Sequence, residues 1–190
     1  MTRNATPPRE VRIIGGQWKR TKLPVRDRPG LRPTPDRVRE TLFNWLGQDL
    51  AGWRCIDAFA GTGALGFEAA SRGAAHVLLV EQDPELVDLL RATQKKLQAG
   101  RVEVRRGNGL AVLASAPPAA TDLVFLDPPF DADLWDKALR AAAAAISGQG
   151  FIYLEAPAAW DDPGLDPFGL ALERHLKAGS VHAHLLRRAA

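Results

Sequence analysis

Residues 54–66 read Arg-Cys-Ile-Asp-Ala-Phe-Ala-Gly-Thr-Gly-Ala-Leu-Gly, and they predict the first structural unit of an α/β sheet. The apolar run before the glycines predicts a buried strand over Arg54–Ala58, and a helix is predicted over Gly66–Arg72. The glycines between them have the spacing G-x-G-x-x-G. Such glycines let the backbone approach a ligand closely, and parallel sheets bind ligands at the carboxyl ends of their strands. This stretch therefore predicts a cofactor site directly after the first strand.

Strands and helices alternate in the rest of the chain. Further strands are predicted at His76–Glu81, Val102–Arg105, Leu123–Leu126 and Gly150–Glu155. Helices are predicted at Glu85–Gln98, Ala111–Ala114 and Leu134–Ile146. Near the C-terminus, Leu170–Leu176 and Val181–Arg187 flank Ala178-Gly179, which indicates an antiparallel hairpin. The expected fold is therefore α/β: a Rossmann-like, doubly wound, mostly parallel seven-stranded sheet closed by a C-terminal antiparallel hairpin.

The N-terminal part differs from the rest in its charge. Residues 1–39 contain eleven Lys or Arg against three Asp or Glu, a net charge of +8, whereas the whole chain has +3. Val11–Ile14 and Lys22–Val25 flank a Gly-Gly pair and predict a short hairpin. A helix is predicted to begin with Thr34 as its N-cap. We predict two parts, a basic RNA-contacting extension over residues 1–33 and a catalytic domain over 34–190, and expect removal of residues 1–30 to leave the fold intact.

Composition narrows the class of protein. The chain has 190 residues, of which 46% are hydrophobic and 25% charged, as in an ordinary globular domain. No apolar run is long enough for a membrane span or a signal peptide, so a cytoplasmic location is expected. The single cysteine, Cys55, excludes a disulfide framework and a CxxC zinc site. No metal is expected, and the basic extension indicates a polyanionic partner, RNA or DNA before a membrane.

Two cofactor types fit the glycine motif. Glu81 ends the next predicted strand twenty residues after Gly61, as in dinucleotide-binding proteins, so a nicotinamide-dependent oxidoreductase is a serious alternative. Asp57, however, would repel a pyrophosphate and attract the ammonium group of S-adenosylmethionine. We therefore expect Asp57, Gly61 and Gly63 at the methionine end and Glu81 at the ribose. Asn108 follows the third strand and either binds the adenine or forms a local Asx turn.

The catalytic candidate is Asp127-Pro128-Pro129-Phe130. It follows a buried strand, and its two prolines end that strand at a stiff corner. The Asp127 carboxylate and the Pro128 carbonyl can accept the two N–H hydrogens of an exocyclic amine, and Phe130 can stack on the base. The motif therefore suits an exocyclic amine of a base that is unpaired or flipped out. Together with Asp57–Gly66, Glu81 and Asn108 it resembles the Rossmann-like class I methyltransferases that act on such an amine.

The N-terminal half narrows the family. The motifs Arg12-Ile13-Ile14-Gly15-Gly16-Gln17-Trp18, Leu23-Pro24-Val25 and the run from Leu31 to Leu46 resemble the bacterial 16S ribosomal RNA (guanine-N2) methyltransferase family. The resemblance covers nearly the whole chain from Arg12. It implies S-adenosylmethionine as cofactor and, as substrate, one guanine of 16S rRNA in the small ribosomal subunit or its assembly intermediate.

Several expectations about partners follow from this resemblance and from the charge pattern. The enzyme is expected to act as a monomer. Candidate RNA-binding residues are Arg12, Trp18, Lys19, Arg20, Lys22, Arg32 and Arg37. Three alternatives remain open at this point: an adenine-N6 methyltransferase, the nicotinamide-dependent oxidoreductase, and a non-catalytic RNA-binding module.

Overall fold

The computed structural model describes residues 10–26, 33–128 and 134–189. The strands in this part of the chain are β1 Glu10–Arg12, β2 Lys22–Pro24, β3 Arg54–Asp57, β4 His76–Glu81, β5 Val102–Arg106, β6 Thr121–Leu126, β7 Ile146–Ala156, β8 Leu170–Ala178 and β9 Val181–Arg188. The α-helices are α1 Asp36–Trp45, α2 Ala64–Ser71, α3 Pro84–Lys96, α4 Gly109–Ala114, α5 Trp135–Ala145 and α6 Asp162–Leu165. A 3-10 turn, Asp166–Phe168, follows α6.

Seven strands form one sheet in the order β5-β4-β3-β6-β7-β9-β8. The first five are parallel, and β9 and β8 are antiparallel to their neighbours, which confirms the predicted fold class. After β3 the chain moves outward to β4 and β5 and then returns to the other side of β3 as β6. The carboxyl ends of β3 and β6 therefore border the switch point at which such sheets bind ligands.

Two apolar clusters cover the two faces of the sheet. One contains residues of α1 and α2 together with Val11, Ile13 and Leu23 from the N-terminal segment. The other contains residues of α4 and α5. The predicted hairpin is present as β1 and β2, which pair antiparallel. Its apolar side chains belong to the same core as those of the following domain, so the hairpin does not pack as a separate unit.

A buried carboxylate holds the N-terminal segment against the body. The backbone N–H groups of Ile14 and Gly15 each donate to Glu68 at 2.8 Å. Arg39 and Arg72 also pair with Glu68, at 3.2 and 2.9 Å. Gly16 has φ +72° and lies so close to Ser71 that a Cβ would stand 1.9 Å from the Ser71 carbonyl oxygen. These contacts indicate that removing residues 1–30 would damage the fold, contrary to the sequence-based expectation, while the division at residue 33 stays a prediction.

The structure corrects several local predictions. Pro35, not Thr34, is the N-cap of α1, because the Thr34 hydroxyl donates to Glu155 instead of to the helix. Helix α2 begins at Ala64, two residues earlier than predicted. The residue that ends the predicted fifth helix, Ile146, is instead the first residue of β7. None of the helices among the described residues combines the length and the apolar composition that a membrane span requires.

Candidate active site

A cavity of about 710 Å³ lies at the carboxyl ends of the central strands. Its lining comes from the turns that follow β3, β4, β5 and β6. Pro33 and Thr34 before α1, Glu155 of β7, and Ser180-Val181 at the tip of the C-terminal hairpin close the other side. Its volume falls within the range of ordinary ligand pockets. The predicted cofactor motif and the first two residues of the predicted catalytic motif, Asp127 and Pro128, therefore open into one space.

Asp57 is the last residue of β3, and its side chain is buried. Its carboxylate accepts a hydrogen bond from the backbone N–H of Gly66 at 3.1 Å. The N–H groups of Gly63 and Phe67 are bound by carbonyls of the same loop and helix. Because these amides at the start of α2 are already occupied, and because a carboxylate stands among them, the loop is poorly suited to a pyrophosphate.

The pKa of Asp57 is raised to about 7, mainly by burial and to a smaller extent by the nearby carboxylates of Glu81 and Glu155, while the hydrogen bond from Gly66 opposes the shift. A cationic ligand beside this group would favour its ionised form. The site therefore attracts positive charge at the end of β3.

Glu81 ends β4 and is fixed by three backbone amides. The N–H of Gly61 donates to Oε2 at 2.9 Å, and those of Gln82 and Asp83 donate to Oε1 at 2.8 and 2.9 Å. Each carboxylate oxygen retains further acceptor capacity, which suits the hydroxyls of a sugar. The contact with Gly61 also joins the predicted ribose-binding residue to the predicted glycine loop.

Asn108 is exposed and is the N-cap of α4, where its side-chain oxygen accepts from the N–H of Ala111 at 3.1 Å. The local turn anticipated as the alternative for Asn108 is therefore present. The residue nevertheless lines the cavity, and its amide N–H₂ group is not engaged by this cap. Adenine binding by Asn108 stays a prediction.

Asp127 and Pro128 line the cavity directly after β6, as the motif predicts. Burial raises the pKa of Asp127 well above its usual range, and the carboxylates of Glu155 and Asp57 raise it further. A carboxyl with a raised pKa can accept a proton at neutral pH. Pro129 and Phe130 lie outside the described residues, so the stacking predicted for Phe130 stays a prediction.

Glu155 is the functional candidate that sequence reasoning missed. It is buried in β7 next to Asp127, because Leu126 pairs with Leu154 in the parallel register and each carboxylate comes one residue later. Its Oε1 accepts from the hydroxyls of Thr34 at 2.5 Å and Tyr153 at 2.9 Å. The signal was a charged residue near the end of an otherwise apolar strand. The sequence alone does not show that Glu155 lies beside Asp127; this follows only from the sheet order, in which β7 is the neighbour of β6.

The cavity is consequently acidic, because five carboxylate residues line it: Asp57, Glu81, Asp83, Asp127 and Glu155. Among the described residues, no group of three or more His, Cys, Asp or Glu side chains is arranged to hold a metal ion. The C-terminal hairpin carries His175, His182 and His184, and one of them is buried. His184 is fully buried, and its ring nitrogens bond to the Trp160 N–H and the Leu154 carbonyl.

The candidate RNA-binding residues are distributed over β1, the turn after it, β2 and α1. The side chains of Arg12, Lys19, Arg20, Lys22 and Arg37 are exposed, although Lys22 forms an ion pair with Glu10 at 2.8 Å. Trp18 is half-buried against the core, and Arg32 lies outside the described residues. Arg39, one of the eleven cations counted in the N-terminal part, is fully buried. The charge available to a partner is therefore smaller than the sequence count.

Comparison with known proteins identifies relatives along almost the entire chain. A family model described as Conserved hypothetical protein 95 matches residues 11–187. The chain is 41% identical over 183 residues to ribosomal RNA small subunit methyltransferase D of Escherichia coli K12, which covers 95% of this chain and 91% of that protein. The protein of the same name from Haemophilus influenzae is 38% identical over 181 residues, 93% of each chain. A solved Escherichia coli structure, described as a methyltransferase, has a TM-score of 0.81 at 39% identity and covers 95% of this chain and 99% of its own.

Proposed function

The chain belongs to the Conserved hypothetical protein 95 family and is an rRNA methyltransferase, and from this premise we propose that it methylates the exocyclic N2 amine of one guanine in 16S rRNA, with S-adenosylmethionine as the methyl donor. The resemblance noted in the sequence is confirmed at the level of the family and of rRNA methylation. The choice of guanine and of its N2 atom belongs to the proposal.

The observation that carries the proposal is that Asp127 lies in the same cavity as Asp57 and Glu81 but in a different part of it. Asp57 and Glu81 line the part of the cavity formed after β3 and β4, and Asp127 lines the part formed after β6. The first half fits S-adenosylmethionine, because a buried carboxylate suits an ammonium group and Glu81 suits ribose hydroxyls. Gly61 and Gly63, with φ +51° and +76°, shape the loop that would follow the methionine end. Asn108 would meet the adenine.

Asp127 would act on the amine that accepts the methyl group. The bound cofactor supplies a methyl group on a sulfonium, whose sulfur leaves as a neutral thioether. A guanine N2 lone pair is delocalised into the ring, so the amine must be held facing the methyl group. Asp127 and the Pro128 carbonyl would accept its N–H hydrogens, and the Asp127 carboxylate would meet the positive charge that develops on nitrogen. The raised pKa of Asp127 suits it to accept the proton afterwards.

The substrate is proposed to be the small ribosomal subunit or an assembly intermediate of it, in the cytoplasm, and the enzyme a monomer. Arg12, Lys19, Arg20, Lys22, Arg32 and Arg37 would contact phosphates, and Trp18 would contribute its exposed edge. Pro33 and Thr34 connect this segment to the cavity, so bound RNA would lie next to the reacting base.

The experiment is transfer of labelled methyl from S-adenosylmethionine to 30S particles lacking the modification, followed by nucleoside analysis of the RNA. We expect N2-methylguanosine at a single position of 16S rRNA. N6-methyladenosine would instead favour an adenine-N6 enzyme. A fluorescence titration with NADH beside S-adenosylhomocysteine tests the oxidoreductase alternative, which requires tighter binding of NADH.

A further inference from the structure

We propose that Glu155 reads the N1–H of the target guanine beside Asp127, and that this second carboxylate makes the pocket select guanine over adenine. The proposal rests on the function proposed above. It assigns the choice of base to a named residue, which the amine-binding motif alone does not do.

The first support is the geometry of the two carboxylates. Asp127 and Glu155 each come one residue after Leu126 and Leu154, which pair on neighbouring parallel strands about 4.8 Å apart. Both line the cavity. Within β7, Glu155 lies two residues after Tyr153, so their side chains share a face of the sheet, and the Tyr153 hydroxyl contacts Glu155. Two acceptors therefore stand side by side at the substrate end.

The second support is the hydrogen bonding of Glu155 itself. The hydroxyls of Thr34 and Tyr153 both donate to Oε1. Among the described residues, no hydrogen bond engages Oε2. Because every buried side-chain nitrogen and oxygen of the described residues has a hydrogen-bond partner, Oε2 must be accessible from the cavity, where it can accept from an N–H group of the ligand. The two hydroxyls fix the carboxylate and orient it, as a supporting shell orients a binding group.

The chemistry of the two purines then decides which base fits. Guanine presents N1–H and the N2 amine as adjacent donors, which match two adjacent carboxylates. Adenine presents one amine beside an N1 acceptor, and that lone pair would face the Glu155 carboxylate. Two acceptors that face each other in a buried site leave both without a donor, which costs more free energy than a hydrogen bond lost in water. Binding of adenine in this position is therefore strongly disfavoured.

The charged groups around Glu155 make the selection dependent on pH. Asp127 approaches from β6 and Asp57 from β3, while Arg39 of α1 lies near Tyr153. The residue of β9 that pairs with Glu155 is Ala183, which does not titrate. Burial raises the pKa of Glu155, and the bonds from Thr34 and Tyr153 oppose the shift. Because a protonated Glu155 could donate to an N1 lone pair, selection should weaken as the pH falls.

The test compares guanine with 2-aminopurine, which keeps the 2-amine but has an N1 acceptor in place of N1–H. Small subunits are reconstituted from 16S rRNA with either base at the mapped methylation position. Wild-type enzyme should prefer guanine in kcat/KM by roughly 10-fold or more, the scale of one specific base contact. Glu155→Gln should reduce this preference to about 3-fold or less, because its amide can accept from N1–H or donate to N1. Glu173→Gln, which removes a carboxylate paired with exposed Arg187, is the matched control and should keep the wild-type preference.

Several outcomes would overturn the proposal. One is an unchanged preference in Glu155→Gln with normal binding of S-adenosylhomocysteine, and another is a wild-type enzyme that uses both bases equally. If Glu155→Gln does not fold, the wild-type preference measured between pH 5.5 and 8.5 decides, since it should grow with pH and a flat profile contradicts the proposal. N6-methyladenosine in the wild-type product would instead refute the proposed function. N2-methylguanosine together with equal use of both bases would refute the role of Glu155 alone.

Discussion

Burial disfavours the charged form of Asp57 more than the hydrogen bond from Gly66 favours it. The pKa of Asp57 therefore rises from 3.8 to about 7. The native state then binds more protons than the unfolded state between these two values. The free energy of unfolding therefore falls as the pH rises from about 4 to 7, because deprotonation of the buried Asp57 destabilises the native state. Above pH 7 this destabilisation is complete. A buried charge that destabilises the unliganded fold is typical of a binding residue.

Replacing this charge should stabilise the unliganded protein. We expect Asp57→Asn to raise the free energy of unfolding by about 2–4 kcal/mol at pH 8 and by much less at pH 5, since three pKa units correspond to about 4 kcal/mol. Urea unfolding at both pH values measures the difference. The exposed carboxylate variant Asp88→Asn should stay within about 0.5 kcal/mol of wild type at both. An Asp57→Asn protein that is less stable at pH 8 would contradict the assignment of a destabilising buried charge.

Asp127 should affect the reaction more than the affinity for the cofactor. We expect Asp127→Ala to lower the single-turnover rate of methyl transfer by ~10²-fold or more, the scale of one lost group that stabilises developing charge. Calorimetry should find binding of S-adenosylhomocysteine changed by only a few-fold, because Asp57 and Glu81 line the other half of the cavity. Transfer at the wild-type rate would exclude the role given to Asp127.

At the scale of elements, the N-terminal hairpin is joined to α2 through charge as well as apolar packing. Glu68 is fully buried, and its carboxylate accepts from two backbone amides of the segment after β1 and from Arg39 and Arg72. Removing one partner of a buried pair is costly because the remaining charge stays buried. The segment that bears the candidate RNA-binding residues is therefore held in a fixed position relative to the cavity.

We expect Glu68→Gln to lower the free energy of unfolding by about 3–5 kcal/mol, because Arg39 and Arg72 lose their shared buried counter-charge. Glu10→Gln is the matched control: its ion pair with Lys22 is exposed on both sides, and its loss should cost less than about 1 kcal/mol. Denaturant unfolding compares the two. Equal effects of the two substitutions would show that apolar packing alone fixes the hairpin.

The sequence predicted the sheet well because each central strand is an apolar run bounded by turn residues, as in Leu123–Leu126 before its two prolines. The three predicted site residues Asp57, Glu81 and Asp127 line one cavity because parallel strands end on the same edge, while their roles stay predictions. Sequence-based prediction failed where a residue has a long-range partner. Thr34 resembles a helix cap but bonds to Glu155, 121 positions away. Arg39 resembles a surface cation but is buried with Glu68.

At the scale of the whole molecule, exposed cations lie on both faces of the sheet. Arg12 and Lys19 are exposed on the N-terminal segment, which packs on the same face of the sheet as α1 and α2. Helix α5, which carries exposed Lys137 and Arg140, packs on the opposite face. If RNA binds along the N-terminal segment, only the first pair of cations contacts phosphates. The number of phosphate contacts can be measured, because the affinity for RNA falls more steeply with salt concentration when more phosphates are contacted.

The double substitution Arg12→Gln with Lys19→Gln should therefore weaken binding to small subunits and reduce the slope of log affinity against log salt by up to about 2, roughly one for each lost phosphate contact. The matched double substitution Lys137→Gln with Arg140→Gln changes the net charge by the same amount on the other face and should leave the slope near the wild-type value. Because exposed side chains are replaced in both proteins, neither should lose binding of S-adenosylhomocysteine. Filter binding between 50 and 300 mM salt measures the slopes, and an equal decrease in both variants would show that RNA responds to the overall charge of the molecule and not to this segment.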